Sequence, residues 1–181
     1  DEVEVRIRWV TYINPTDGKD RADEVCVFGD YIAVVGEVDW TPPYVTAGKP
    51  YVVLLSKSDG VVVREWVSSE NEGFVNCISI DGKLYVVGAT RVGEHRYGVI
   101  YVFDENLNVL ARITGGSPSG YFSLVYNDGV LYLGGAAIED VDGDGIEERI
   151  WLVEKRALDE SLSPVDSKKI YLGSWKRGWI Y

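Results

Sequence analysis

Apolar and polar positions along this chain fall into short runs with a two-residue period. The stretches 51–56, 61–67, 99–103, 109–113, 150–153 and 169–172 are rich in Val, Ile, Tyr and Trp. Such residues suit a pleated, half-buried surface, so each run predicts a strand. No segment of helical length carries a clean 3.6-residue period, and the pattern as a whole predicts an all-β protein. Residues 152–162 alone have the make-up of a short helical turn.

The runs recur as a unit. Val27-Phe28-Gly29-Asp30-Tyr31-Ile32-Ala33-Val34-Val35-Gly36 parallels Ser79-Ile80-Asp81-Gly82-Lys83-Leu84-Tyr85-Val86-Val87-Gly88, and both parallel Val125-Tyr126-Asn127-Asp128-Gly129-Val130-Leu131-Tyr132-Leu133-Gly134. Each reads as a strand, a tight turn, a second strand and a closing glycine. Asp81-Gly82 and Asp128-Gly129 suit two-residue hairpin turns, which need positive φ. The closing glycines Gly36, Gly88 and Gly134 lie 52 and 46 residues apart. Adding the strands that follow each glycine gives antiparallel four-stranded meander repeats at 21–72, 73–119 and 120–173, in one domain spanning 1–181. Residues 2–13 read as one more strand ahead of them, and 173–181 as the opening strand of another. Either the chain is part of a larger assembly of such repeats, or copies combine, or the sheets stack openly. An exposed terminal strand invites pairing with another chain, so self-association through the terminal strands is one expectation.

The repeat length and the strand–turn–strand–glycine unit resemble the β-propeller superfamily, whose blades are four-stranded and about 40–50 residues long. The resemblance covers residues 21–173 and implies about three blades plus terminal strands. There is no Trp-Asp dipeptide closing a blade and no Gly-His opening one, so the WD-repeat family fits poorly. The Gly134-Gly135 pair is similar to kelch repeats but does not recur at the equivalent place in the other two units. Divergent quinoprotein-like or prokaryotic surface propellers are nearest. Such propellers serve as binding platforms, interaction modules or enzymes, and the fold does not choose among them.

Composition narrows the function classes. With 46% hydrophobic and 26% charged residues, the 181-residue chain can bury a core and is not disordered. Its formal net charge is −11, with no basic stripe, which argues against nucleic acid and anionic membrane surfaces. No apolar run approaches the roughly 18–20 residues needed to span a bilayer. The first residue is Asp1 and Met is absent, which predicts a start processed from a longer chain. Scarce thermolabile side chains beside many charges suggest a thermophile. Cys26 and Cys77 fall at nearly equivalent places in two repeats; a disulfide can form if their strands are neighbours, but two are too few for a disulfide framework, and two buried free thiols are the better expectation.

One stretch carries chemistry. Asp140-Val141-Asp142-Gly143-Asp144-Gly145-Ile146-Glu147-Glu148 reads D-x-D-x-D-G-x-x-E. Alternating Asp residues throw three carboxylates to one side of a tight loop, Gly145 permits the turn, Ile146 can offer its carbonyl, and Glu148 closes the shell. Calcium, a hard cation, takes six to eight such oxygens. An EF-hand needs Glu at position 12, where this chain has Trp151, and helical flanks, where it has strands. The loop looks like the calcium hairpin loops of integrin-type propellers, which implies Asp140, Asp142, Asp144, the Ile146 carbonyl and Glu148 as ligands. Integrin-type loops usually end in Asp, so Glu148 departs from that pattern. The bland alternative is an acidic surface turn, against which five carboxylates within nine residues repel one another unless a cation sits among them.

Other candidates are weaker. His95 is the single histidine, which excludes a multi-histidine metal site and leaves an exposed loop residue as the better reading. Trp40 and Tyr44 sit on a Pro-stiffened loop, suited to a sugar or peptide or simply packed back on the domain. Trp175, Trp179 and Tyr181 crowd the C-terminus, for burial within the chain or against a protein or glycan partner. There is no P-loop, dinucleotide loop or nucleophile elbow. The leading expectation is a non-enzymatic, calcium-stabilised binding or structural scaffold, extracellular or at the cell surface. A fragment of a glycan-active or quinoprotein-like propeller enzyme and a self-assembling surface protein are the alternatives.

Overall fold

The computed structural model describes residues 8–41, 48–159 and 161–170. Among them are eleven strands and no helix: β1 (Arg21–Phe28), β2 (Tyr31–Val38), β3 (Lys49–Ser56), β4 (Val62–Val67), β5 (Glu72–Ile80), β6 (Lys83–Val92), β7 (His95–Phe103), β8 (Val109–Asn127), β9 (Val130–Glu139), β10 (Glu148–Ala157) and β11 (Pro164–Ile170). They form three four-stranded antiparallel meanders. β1 to β4 make the first. The second and third share β8, which pairs with β7 through Val109–Thr114 and with β9 through Ser119–Asn127. Two strands expected apart are thus one 19-residue strand, with Gly115, Gly116 and Gly120 where it passes between sheets.

The central meander is covered on both sides. Towards the first meander, Leu84, Val86, Val99, Tyr101 and Phe103 join Phe28, Ala33, Val35, Val52 and Leu54 in one core. Towards the third, Tyr85, Val87, Ile100 and Val102 join Leu131, Leu133, Ile150 and Leu152 in another. Burial on both faces explains why β6 and β7 carry near-continuous apolar runs, whereas β10, covered on one face, alternates. The outer face of the first meander has a cover of its own. Trp9 and Ile13 pack there on Val38, Tyr51, Val53 and Leu55. Residues 8–13, the described part of the leading strand expected at 2–13, pair with no strand. Side chains anchor them instead: Thr11 Oγ1 donates to the Gly60 carbonyl at 2.6 Å and Trp9 Nε1 to that of Lys57 at 3.3 Å.

The recurring glycine has a structural cause. In β1, β5 and the third meander's part of β8, the ladder register shifts at Asp23, Val75 and Phe122, each an extra residue in a bulge. The bulge presses the preceding carbonyl against the neighbouring strand. A Cβ at Gly36 would lie 1.9 Å from Arg21 O, at Gly88 1.8 Å from Gly73 O, and at Gly135 2.1 Å from Gly120 O. The equivalent residue in the third repeat is therefore Gly135 rather than Gly134, whose Cβ would meet only Ser123 Cβ at 3.6 Å. The hairpin turns follow expectation: Asp81 and Gly82 have φ of 49° and 72°, Asp128 and Gly129 of 48° and 77°.

Three further expectations are corrected. Cys26 and Cys77 are bonded to each other, not free; their Cα atoms stand 6.1 Å apart and staple β1 to β5 across the first core. The described residues of 152–162 hold no helical turn. β10 runs to Ala157 as extended strand, and its inward Glu154 and Arg156 pair with each other at 2.5 Å as a buried ion pair. The last described strand is 164–170, earlier than the 169–172 expected.

Candidate metal centre

The acidic loop joins β9 to β10, and the Glu139–Glu148 pair closes its base. Gly143 and Gly145 have φ of 76° and 82°, so the two glycines make the turns that reverse the chain. The loop's own N–H groups are satisfied by its carboxylates. Asp140 accepts from Gly143 N at 2.8 Å and Gly145 N at 2.9 Å. Asp142 accepts from Asp144 N at 3.2 Å, and Asp144 from Ile146 N at 2.8 Å. Glu148 reaches back to Val141 N at 2.9 Å.

These bonds gather one oxygen each of Asp140, Asp142 and Glu148 within 4.8 Å of one another. Two oxygens on opposite sides of a calcium ion, each at about 2.3–2.6 Å, would be about that far apart. Asp140 and Asp142 are exposed, whereas Glu148 is only 1% exposed and its Oε1 has no hydrogen-bond partner. A buried carboxylate oxygen without a partner is costly, and a cation between the three carboxylates would remove that cost. The donor set is all oxygen, the chemistry of a hard cation rather than of zinc or copper. Asp144 and Ile146 stand in the same loop but outside this group of three; Asp144 caps the Ile146 N–H, and the Ile146 side chain is exposed.

The remaining candidates are placed as follows. Trp40 is half-buried, its ring beneath the Arg21 guanidinium at 5.0 Å, and its backbone N–H donates to Lys19 O at 2.6 Å. With Gly18, Lys19, Asp39 and Thr41 it lines a surface pocket. Tyr44, Trp175, Trp179 and Tyr181 lie outside the described residues. His95 is exposed beside the hairpin turn between β6 and β7.

Sequence reasoning missed a set of buried acids inside the stack. Glu37 bonds Arg21 at 3.1 Å, with Oε2 unpartnered. Burial pushes its carboxyl up to about 8; Arg21 and Arg96 oppose that rise and Asp23 adds to it. Glu72 pairs with Arg112, which also bonds the Tyr101 hydroxyl at 2.9 Å. Tyr121 donates to Glu154 at 3.0 Å, and Arg156 donates to Leu162 O at 3.0 Å. Charged residues in a two-residue alternation with apolar ones look like solvated positions in a sequence, and only the stacking of sheets shows that they face inward.

No protein-family model matches the chain, and no curated protein is significantly similar to it. Among the described residues, no helix is long and apolar enough to cross a membrane.

Proposed function

We propose that this protein is a propeller-like binding or structural scaffold whose third meander is ordered by a calcium ion held in the 140–148 loop. The observation that carries the reading is the buried Glu148, whose Oε1 is unpartnered and whose carboxylate places an oxygen within 4.8 Å of oxygens of Asp140 and Asp142. Asp140, Asp142 and Glu148 would hold the ion, with Asp144 and the Ile146 carbonyl as further oxygens of the same loop. The ion would neutralise the loop and tie the β9 and β10 ends together; no reaction is needed of it. The meanders act as blades in this reading. The Cys26–Cys77 bond and a loop of modest affinity both suit an oxidising, calcium-rich surrounding outside the cell.

Thermal melts in calcium and in chelator test the reading, with Asp142→Ala as the control. Calcium at 100 times its dissociation constant should add about 2.7 kcal/mol of stability. Asp142→Ala should abolish that gain while melting like the wild type in chelator to within about 1 kcal/mol. Coincident wild-type curves with and without calcium would remove both the ion and the argument for location.

A further inference from the structure

Exposed large apolar side chains gather at the two ends of the stack. At one end, the outer face of the third meander carries Trp151, 63% exposed, with Phe122, Val125, Val153 and Ile170. Ladder pairing places them on one surface: Trp151 opposes Ala136 and Ile170, and Val153 opposes Gly134 and Lys168. Lys155 lies over the Tyr132 ring and Arg149 over Phe122, each at 5.6 Å. In a chain of net charge −11, the cations Arg149, Lys155 and Lys168 stand here against Asp166. At the other end, the outer side of the first meander shows Tyr12, 93% exposed, and Val10 on its strap, with Val25, Val27 and Val67 beside it. Around the strap, Asp20, Asp59 and Glu65 stand against Arg8 and Lys57, with Lys49 and Asp39 neutralising each other as an ion pair, an excess of one acid.

We infer that the outer face of the third meander docks on the outer face of the first meander of a second copy, head to tail. Two observations select that occupant. The ends are opposite in charge, so end-to-end contact between unlike faces is attractive whereas the third face against itself sets cations on cations. The chain also stacks meander on meander twice internally, through the same kind of apolar rows. Head-to-tail contacts either close into a ring or continue as a chain. This inference is independent of the cation loop and differs from edge pairing of terminal strands, because the contact is between faces.

Sedimentation velocity from about 1 to 200 µM, with circular dichroism to confirm folding, tests it. The wild type should pass from monomer to dimer or longer species, and 1 M NaCl should weaken the association. Trp151→Glu and Val27→Arg should each be monomeric alone. Mixed, they should form a dimer, because each retains the face the other has lost. A wild type that stays monomeric at every concentration overturns the inference; so does a gain of association on removing 171–181, which would assign the face to the chain's own tail. Self-association that Val27→Arg leaves intact also overturns it, since the third face would then be binding itself.

Discussion

The two cores on either side of the central meander stack in the same way but hold by different means. The core towards the first meander is aromatic and covalent. Trp66, Phe74, Tyr101 and Phe103 form edge and stacked contacts with centroids 4.9–6.4 Å apart, and the Cys26–Cys77 bond crosses the layer. It also contains Glu37 and Glu72, each with one oxygen unpartnered. The core towards the third meander is mostly aliphatic, has no disulfide among the described residues, and encloses the Tyr121–Glu154–Arg156 network. One layer is thus fixed by a staple; the other has aliphatic packing around a buried ion pair, with the acidic loop at its margin. The repeat unit sets the shared bulge and glycine, and each interface supplies its own chemistry.

The shared element gives the largest expected effect. Gly88→Ala and Gly135→Ala should each cost about 3 kcal/mol or more, because the new Cβ meets backbone that side-chain rotation cannot clear. Gly134→Ala should stay within about 0.5 kcal/mol, its Cβ meeting only an ordinary contact. Urea midpoints of the three variants decide whether the two layers share this device. Equal, small losses would mean that the bulges relax and that the glycine is not what unites the repeats.

The staple comes next. Cys26→Ser with Cys77→Ser should lower stability by about 2–4 kcal/mol, since the bond closes a long loop of unfolded chain. The loss should be seen in denaturant midpoints, and the calcium response proposed for the 140–148 loop should be unchanged. If reduction instead weakened calcium binding, the two layers would not be independent.

The strands, the hairpin turns and the three repeats were legible because a two-residue period and Asp-Gly turns are local properties. The acidic loop was legible for the same reason: its spacing lies within nine residues. What the sequence hid was between sheets. The pairing of Cys26 with Cys77 depends on β1 lying beside β5, which no local pattern states. Gly134 and Gly135 are adjacent in the chain, and only the bulge at Phe122 shows which one the carbonyl of Gly120 touches. Glu154 and Arg156 read as solvent-facing until a second sheet covers them, so their buried ion pair was hidden as well. The merging of two strands into β8 was hidden likewise, since Gly115 and Gly116 suggest a break where the strand only passes from one sheet to the next.

A buried carboxyl in the first layer gives a test by pH. Glu37 faces Arg21, Asp23 and Arg96, and burial outweighs its pairing with Arg21, so its carboxyl titrates near 8 instead of the ordinary 4.5. The folded protein therefore holds this proton more tightly than the unfolded chain does. The stability this contributes is fully present below about pH 4.5 and is lost as pH rises through about 8. Glu37→Gln keeps the shape and an oxygen for Arg21 but cannot ionise. Between pH 5 and pH 8 the wild type should lose stability that Glu37→Gln retains, read as the difference between their urea midpoints at the two pH values. Parallel pH profiles would mean that Arg21 and Arg96 keep the carboxylate charged in the fold.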